Sequence, residues 1–159
     1  MMADSITPGA GLLIKKNGVF DLNGMYKAMR SWFGERDYGF LEKENSKKEK
    51  DTGQIILLRW EGSRNVDAYA QFQIRVNILV ENAESLRENN KKLTKGDLEM
   101  KFWADVILDY TNTWERKPFG QFLFKLYNTM IIKDKIQDVY ETNLDTELQE
   151  LIALAKSFL

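Results

Sequence analysis

The stretch YAQFQIRVNILV, residues 69–80, restricts the possible fold of this chain more than any other part of the sequence. From Phe72 to Val80 every second residue is apolar, and most of the residues between them are polar. Because successive side chains of a β-strand point to opposite faces of its sheet, this alternation predicts a strand with one apolar face. Such a face needs an apolar cover, so the same stretch also predicts a second layer packed on the sheet.

Two other stretches predict neighbouring strands by the same alternation. In LEMKFWADVILDY the even-numbered positions from Leu98 to Tyr110 are apolar. In QIILLRWEG the side chains of Ile56, Leu58 and Trp60 share one face. Three strands with matching apolar faces predict one sheet with a continuous apolar side.

Keeping both apolar sets on the same face determines the parity of the pairing between the two longest strands. With that parity, we take as a hypothesis a register in which paired residue numbers sum to about 178. That register places Arg75 beside Trp103, within reach of a cation–π contact, and Gln73 beside Asp105. The polar residues 81–97 would either connect these strands or continue them as a twisted hairpin.

Helical spacing occurs on both sides of the predicted sheet. Asp21 is a suitable N-cap for a helix over residues 22–33, which would end before Gly34. A second helical pattern begins at Pro118, and the TNLD sequence at residues 142–145 predicts a break before a last helix. The apolar positions of the first and last helices are Leu22, Met25, Tyr26, Met29, Trp32 and Phe33, and then Leu144, Leu148, Leu151, Ala155 and Phe158.

Together these elements predict an α+β fold in two layers. The layers are an antiparallel β-meander of three to four strands, an N-terminal helix, and one or two long C-terminal helices packed on the sheet. A chain of 159 residues suits a single domain over residues 1–159, with residues 1–10 flexible. Residues 11–20 predict a short strand or small hairpin, residues 43–51 a solvated strand end or mobile loop, and residues 62–67 a turn.

The odd-numbered face of this sheet is less polar than a solvated face should be. It carries apolar side chains among arginine, glutamine and acidic residues. Aromatic and arginine anchors inside a polar rim are typical of protein–protein interfaces. The sequence therefore predicts an interface formed by Trp103, Arg75, Ile55, Leu57, Ile107 and Tyr69. An intramolecular cover by the N-terminal segment, or plain exposure of scattered apolar side chains, would also account for the pattern.

A cavity between the sheet and the C-terminal helix is the alternative interpretation. Helix-grip ligand-binding proteins resemble this chain in having a long helix after an antiparallel sheet. The resemblance is architectural and carries no motif, and those proteins use more strands than are predicted here. It implies a small-molecule or lipid carrier whose pocket would be lined by Phe72, Val76, Phe102, Val106, Leu126 and Met130.

Composition excludes several kinds of chemistry. The chain has no cysteine and no histidine, which removes thiol catalysis, Ser-His-Asp catalysis and zinc–thiolate sites. Asp105 and Asp109 share a strand face but would stand about 13 Å apart, too far for a glycosidase pair. They are expected to be solvated surface charges. No phosphate-binding or calcium-binding loop motif occurs, so we expect no enzyme activity, no metal and no cofactor.

Charge and hydropathy set the expectations for partners and location. The net charge is −1, with 23 basic and 24 acidic residues, which argues against nucleic acid as a partner. No signal-peptide pattern or membrane-length apolar run occurs, so a cytoplasmic protein is expected. The expected function is a non-enzymatic interaction or structural module, oligomeric or part of an assembly, that binds itself or another protein.

Overall fold

The computed structural model describes residues 4–6, 12–66, 70–108 and 140–159. These residues form an antiparallel sheet and two helices, so the fold is mixed α+β, as predicted. In chain order the elements are β1 Asp4–Ile6, β2 Leu12–Phe20, α1 Leu22–Glu35, β3 Gly39–Lys50, β4 Gly53–Asn65, β5 Ala70–Glu88, β6 Lys91–Leu108 and α2 Glu141–Lys156.

The sheet is wider than the sequence predicted. Strands β3, β4, β5 and β6 form a meander, and β1 and β2 pair with successive parts of β6 at the far edge. The described sheet therefore has five strand positions rather than three or four. Of the two alternatives predicted for residues 11–20, the strand is correct and the hairpin is not, since the chain runs without a turn along β2. Its pairing with β6 continues through Gly18, whose φ of 142° is a conformation that glycine adopts readily.

The hairpin of β5 and β6 has the predicted register. Partner numbers sum to 178 from Ala70↔Leu108 to Glu81↔Asp97, where a bulge shifts the pairing. Beyond the bulge the two strands continue to a tight turn at Asn89 and Asn90, with φ values of 52° and 62°. Two left-handed residues are typical of a type I′ hairpin turn. Residues 81–97 are therefore the continued hairpin, one of the two predicted alternatives.

Strand β3 forms the other edge of the sheet and contains a second bulge. The charge-dense residues 43–50 continue the strand, so the strand-end interpretation was right for this segment. The pairing with β4 shifts between Glu42 and Glu44. Because of this shift, Glu42 and Asn45 both lie on the side of the sheet that carries the helices, and Glu44 lies on the other side.

Helix α1 begins as predicted and ends later than predicted. The Asp21 side chain accepts a hydrogen bond from the backbone N–H of Gly24 at 2.9 Å, which is the expected N-cap contact. The helix passes through Gly34 and ends at Glu35. The left-handed residue that follows a helix end is Asp37, with a φ of 63°, so Gly34 is not needed in that role.

The start of helix α2 also differs from the prediction. The TNLD sequence does not break the helix, because Thr142 already lies inside it and its carbonyl accepts from the Thr146 hydroxyl at 2.9 Å. Leu144, Leu148 and Leu151 are buried, as their spacing predicted. The predicted helix that begins at Pro118 lies outside the described residues.

The core lies between the even-numbered face of the sheet and the two helices. The side chains of β5 and β6 on this face are fully buried, and each large one contributes about 1.5–3 kcal/mol of burial free energy. Helix α1 packs here through Phe33, which lies against Gly62, and through Tyr26. The centres of the Tyr26 and Trp60 rings are 5.3 Å apart. The buried apolar residues of β5 and β6 are Ala70, Phe72, Ile74, Val76, Ile78, Val80, Ala83, Leu98, Met100, Phe102, Ala104 and Val106.

A buried polar cluster ties the ends of three elements together on the helix side. The Arg64 guanidinium contacts both carboxylate oxygens of Glu147, and the Tyr38 hydroxyl donates to Glu147 at 2.9 Å. Burial, the charge of Glu147 and this hydrogen bond all raise the pKa of Tyr38. Arg64 comes from β4 rather than from the predicted turn at residues 62–67, because β4 continues to Asn65.

Candidate interaction surface

The sheet face opposite the helices, called here the open face, carries the odd-numbered side chains of β4, β5 and β6. Five of the six predicted interface residues lie on it. Trp103, Ile55, Leu57 and Ile107 are half-buried and Arg75 is exposed, although neither described helix packs on this side. Tyr69 lies outside the described residues.

Arg75 and Trp103 form the centre of the open face. They are cross-strand partners, and the guanidinium carbon of Arg75 lies 5.4 Å from the centre of the Trp103 ring, which is a cation–π contact. The same guanidinium reaches Asp105 at 3.2 Å. The ring and the carboxylate together hold the arginine in one orientation over the sheet.

A row of ion pairs extends from this centre to the β3 edge. Glu61 contacts the ammonium group of Lys43 at 2.6 Å and accepts from the Gln73 amide at 2.9 Å. Arg59 lies two residues before Glu61 in β4, and its guanidinium is 3.6 Å from the Glu44 carboxylate. The pairing predicted between Gln73 and Asp105 is correct for the backbone, but the Gln73 side chain turns to Glu61 instead.

Asp105 departs from its predicted role as a solvated surface charge. It is buried on the open face, beside the guanidinium of Arg75. A carboxylate taken out of water needs a compensating charge, and Arg75 provides one. Asp109, its predicted neighbour on the same strand face, lies outside the described residues.

A shallow hollow of about 300 Å³ opens at the centre of this face. It is lined by Lys43, Arg59, Trp60, Glu61, Arg75, Asn77 and Trp103. A second hollow of about 330 Å³ lies further along the strands, near Leu79 and Glu99. Both are open depressions with mixed polar and apolar walls.

Four of the six residues predicted to line a ligand pocket lie on the core side of the sheet. Phe72, Val76, Phe102 and Val106 have no exposed surface, and they line neither of the two hollows. Leu126 and Met130, the remaining predicted lining residues, lie outside the described residues. Among the residues described, no group of three acidic side chains is placed to hold a metal ion. No helix in the described ranges is long and apolar enough to cross a membrane.

Sequence reasoning missed some members of this surface. Glu61 could have been added from its odd-numbered position in β4, which is the signal that identified Ile55 and Leu57. Glu44 could not, because only the bulge between Glu42 and Glu44 brings it opposite Arg59 on the open face. No protein-family model matches this chain, and a search of curated proteins gives no match.

Proposed function

We propose that this chain is a non-enzymatic interaction module that joins an assembly through its open face. The observation that carries the proposal is that four apolar side chains, those of Trp103, Ile55, Leu57 and Ile107, are half-buried on the side of the sheet opposite the helices. A sheet face that meets only water is normally polar. A mixed face with an aromatic and an arginine anchor is typical of a surface that is covered on binding.

The geometry of the anchors also suits binding. Trp103 and Arg75 are held against each other, and Asp105 fixes the guanidinium from the other side. Side chains that are already ordered lose little conformational entropy when a partner covers them. A carrier of the helix-grip type receives less support, because its four described pocket residues are packed in the core.

The first test is the mass of the chain in solution, measured by light scattering over a range of concentrations. Trp103→Ala and Ile107→Ser should shift an oligomer toward monomer if copies associate through the open face. Leu86→Ser is the matched control, since Leu86 is an exposed apolar residue near the hairpin tip. It should leave the oligomer unchanged.

The second test covers a partner that is a different protein. A photo-crosslinking residue is placed at Leu57 on the open face and, as a control, at Lys27 on the exposed side of α1, in cells that make the protein. We expect one product of defined mass from position 57, absent from position 27 and lost when Trp103→Ala is added. A monomer that gives no product specific to position 57 would refute the proposal.

A further inference from the structure

The charges of the open face are arranged in two levels. Four ion pairs lie on it, and in each pair the basic side chain is more exposed than the acidic one. The basic side chains are 45% to 53% exposed, and the acidic ones are 12% to 37% exposed. The pairs are Lys43–Glu61, Arg59–Glu44, Arg75–Asp105 and Lys101–Glu99.

Because the basic groups are the more exposed members of these pairs, the open face presents positive charge to an approaching partner although the pairs themselves are nearly neutral. A charge close to the solvent boundary acts more strongly on an approaching group than a charge beneath it, because interaction energy falls with distance. Lysine and arginine side chains are longer than those of aspartate and glutamate, which contributes to this difference in exposure. Whatever the cause, an approaching partner meets the basic groups first. The acidic groups act from below and hold the basic groups in place.

The central hollow concentrates this effect. Lys43, Arg59 and Arg75 line it together with a single acidic residue, Glu61. Glu61 is already engaged by Lys43 and by the Gln73 amide. The Asn77 side chain adds an amide that can donate a hydrogen bond. A carboxylate entering the hollow would therefore meet three cationic groups, each paired from below with one carboxylate of the sheet, Glu61, Glu44 or Asp105.

We infer that the open face binds an acidic protein surface, with a carboxylate side chain of the partner seated in the hollow between Lys43, Arg59 and Arg75. This inference rests on the proposed function, and it names the chemistry of the partner. The half-buried apolar side chains of the open face would cover the apolar part of the same partner surface.

Two other occupants fit this arrangement less well. A second copy bound face to face about a two-fold axis presents the same patch, so exposed basic groups would meet basic groups. Nucleic acid would stack its bases on aromatic rings, but Arg75 already occupies the Trp103 ring. The net charge of −1 also gives no long-range attraction for phosphates.

The test uses a short fluorescent peptide of alternating glutamate and leucine, titrated with the full chain and followed by anisotropy. The same peptide with lysine in place of glutamate, and a thymine oligonucleotide, serve as comparison probes. We expect the glutamate peptide to bind, and its affinity to fall as salt is added. Arg59→Glu should weaken it by about tenfold or more, since it replaces an attraction with a repulsion.

Two matched variants complete the design. Arg59→Lys keeps the charge and should retain most of the binding. Arg87→Glu makes the same charge change on the exposed part of β5 outside the hollow, and it should leave binding unchanged. Arg59 is itself exposed, so Arg59→Glu should unfold at the same temperature as the unmodified chain.

The inference would be overturned by equal binding of the lysine peptide, by tighter binding of the oligonucleotide, or by an Arg59→Glu variant that binds the glutamate peptide as well as the unmodified chain. Absence of peptide binding would also overturn it. If position 57 still crosslinks to a partner in that case, the open face is an interface and only the acidic chemistry is wrong. If neither peptide nor partner engages the face, the proposed function fails as well.

Discussion

Arg64 and Glu147 are joined by two parallel contacts, 2.8 Å from Nη1 to Oε1 and 2.9 Å from Nη2 to Oε2. They are 83 residues apart in the sequence, and their pairing fixes α2 against the end of β4. The guanidinium also lies over the rings of Tyr38 and Phe72, at 5.1 and 5.3 Å. One arginine therefore connects the sheet, the segment after α1 and the last helix.

The first prediction concerns the loss of one member of this pair. Glu147→Ala should lower the free energy of unfolding by about 3 kcal/mol, because it leaves the Arg64 charge partly buried without its carboxylate. Urea denaturation measures the change. Glu150→Ala is the matched control on the same helix, since its pair with Arg36 is exposed and should contribute less than about 1 kcal/mol. Equal losses in the two variants would contradict the prediction.

The cluster of Arg64, Glu147 and Tyr38 also shows which features could not be predicted from the sequence. The spacing of Leu144, Leu148 and Leu151 correctly identified the buried side of the last helix, because helical periodicity is a local property. Nothing local indicated that Glu147 would be buried with them. Its partner Arg64 was assigned to a turn, since GSRN has turn-forming composition, and tertiary pairing with β5 extended the strand over it.

The second prediction concerns alkaline conditions. Burial raises the pKa of Tyr38 above its ordinary value of 10.0, so the folded protein keeps a proton that the unfolded chain loses. Stability from this residue is therefore complete below about pH 10 and falls by about 1.4 kcal/mol per pH unit above it. Tyr38→Phe should reduce this slope in urea denaturation measured from pH 9 to about pH 11.

The slope should fall but not vanish in that variant. The hydrogen bond from Tyr26 to Glu42 raises the pKa of Tyr26 as well, and Tyr26→Phe should remove a further part of the slope. An unchanged slope in the Tyr38→Phe variant would show that its hydroxyl is not protected in the folded protein.

The third prediction compares two glycines of opposite surroundings. A Cβ at Gly62 would lie 2.6 Å from two atoms of the Phe33 ring, which is itself packed against Trp32, Tyr38 and Phe40. Because the ring has little room to move, Gly62→Ala should destabilise the protein by about 1–3 kcal/mol.

Gly34→Ala is the control for this change. Gly34 is helical, and a Cβ there would meet nothing within 4 Å. Alanine in a helix is favoured over glycine by about 0.5–1 kcal/mol, so this variant should be more stable. Thermal unfolding of the two variants should shift in opposite directions. A shift in the same direction would show that the contact between Gly62 and Phe33 does not limit the packing.

Part of the open face could also be predicted, because period-two alternation, like helical periodicity, is a local property of the sequence. Period-two alternation and the shared apolar face determined the parity of pairing, and the hypothesis that paired numbers sum to 178 then correctly placed Arg75 beside Trp103. The position of Glu44 on this face was not predictable, because a bulge inserts one residue and reverses the faces of the strand beyond it. Bulges depend on the pairing of two strands, which a single strand's pattern does not encode.

The last prediction concerns the carboxylate on the other side of that bulge. Glu42 lies beneath α1, where burial works against its ionised form. It nevertheless accepts hydrogen bonds from Tyr26 at 2.6 Å, Asn45 at 2.9 Å and Trp60 at 3.1 Å. These three bonds outweigh the burial and hold the pKa of Glu42 below its ordinary value of 4.5.

The sign of the pH effect follows from this direction. The unfolded chain takes up a proton at Glu42 at a higher pH than the folded protein, so stability from this residue is complete above 4.5 and is lost as the pH falls below it. Glu42→Gln should cost about 1–3 kcal/mol at neutral pH and flatten the loss of stability toward about pH 3. Glu44→Gln, two residues away but on the open face, should change neither quantity appreciably. If Glu42→Gln unfolds in acid as steeply as the unmodified chain, the hydrogen bonds to Tyr26 and Trp60 do not stabilise the charged form.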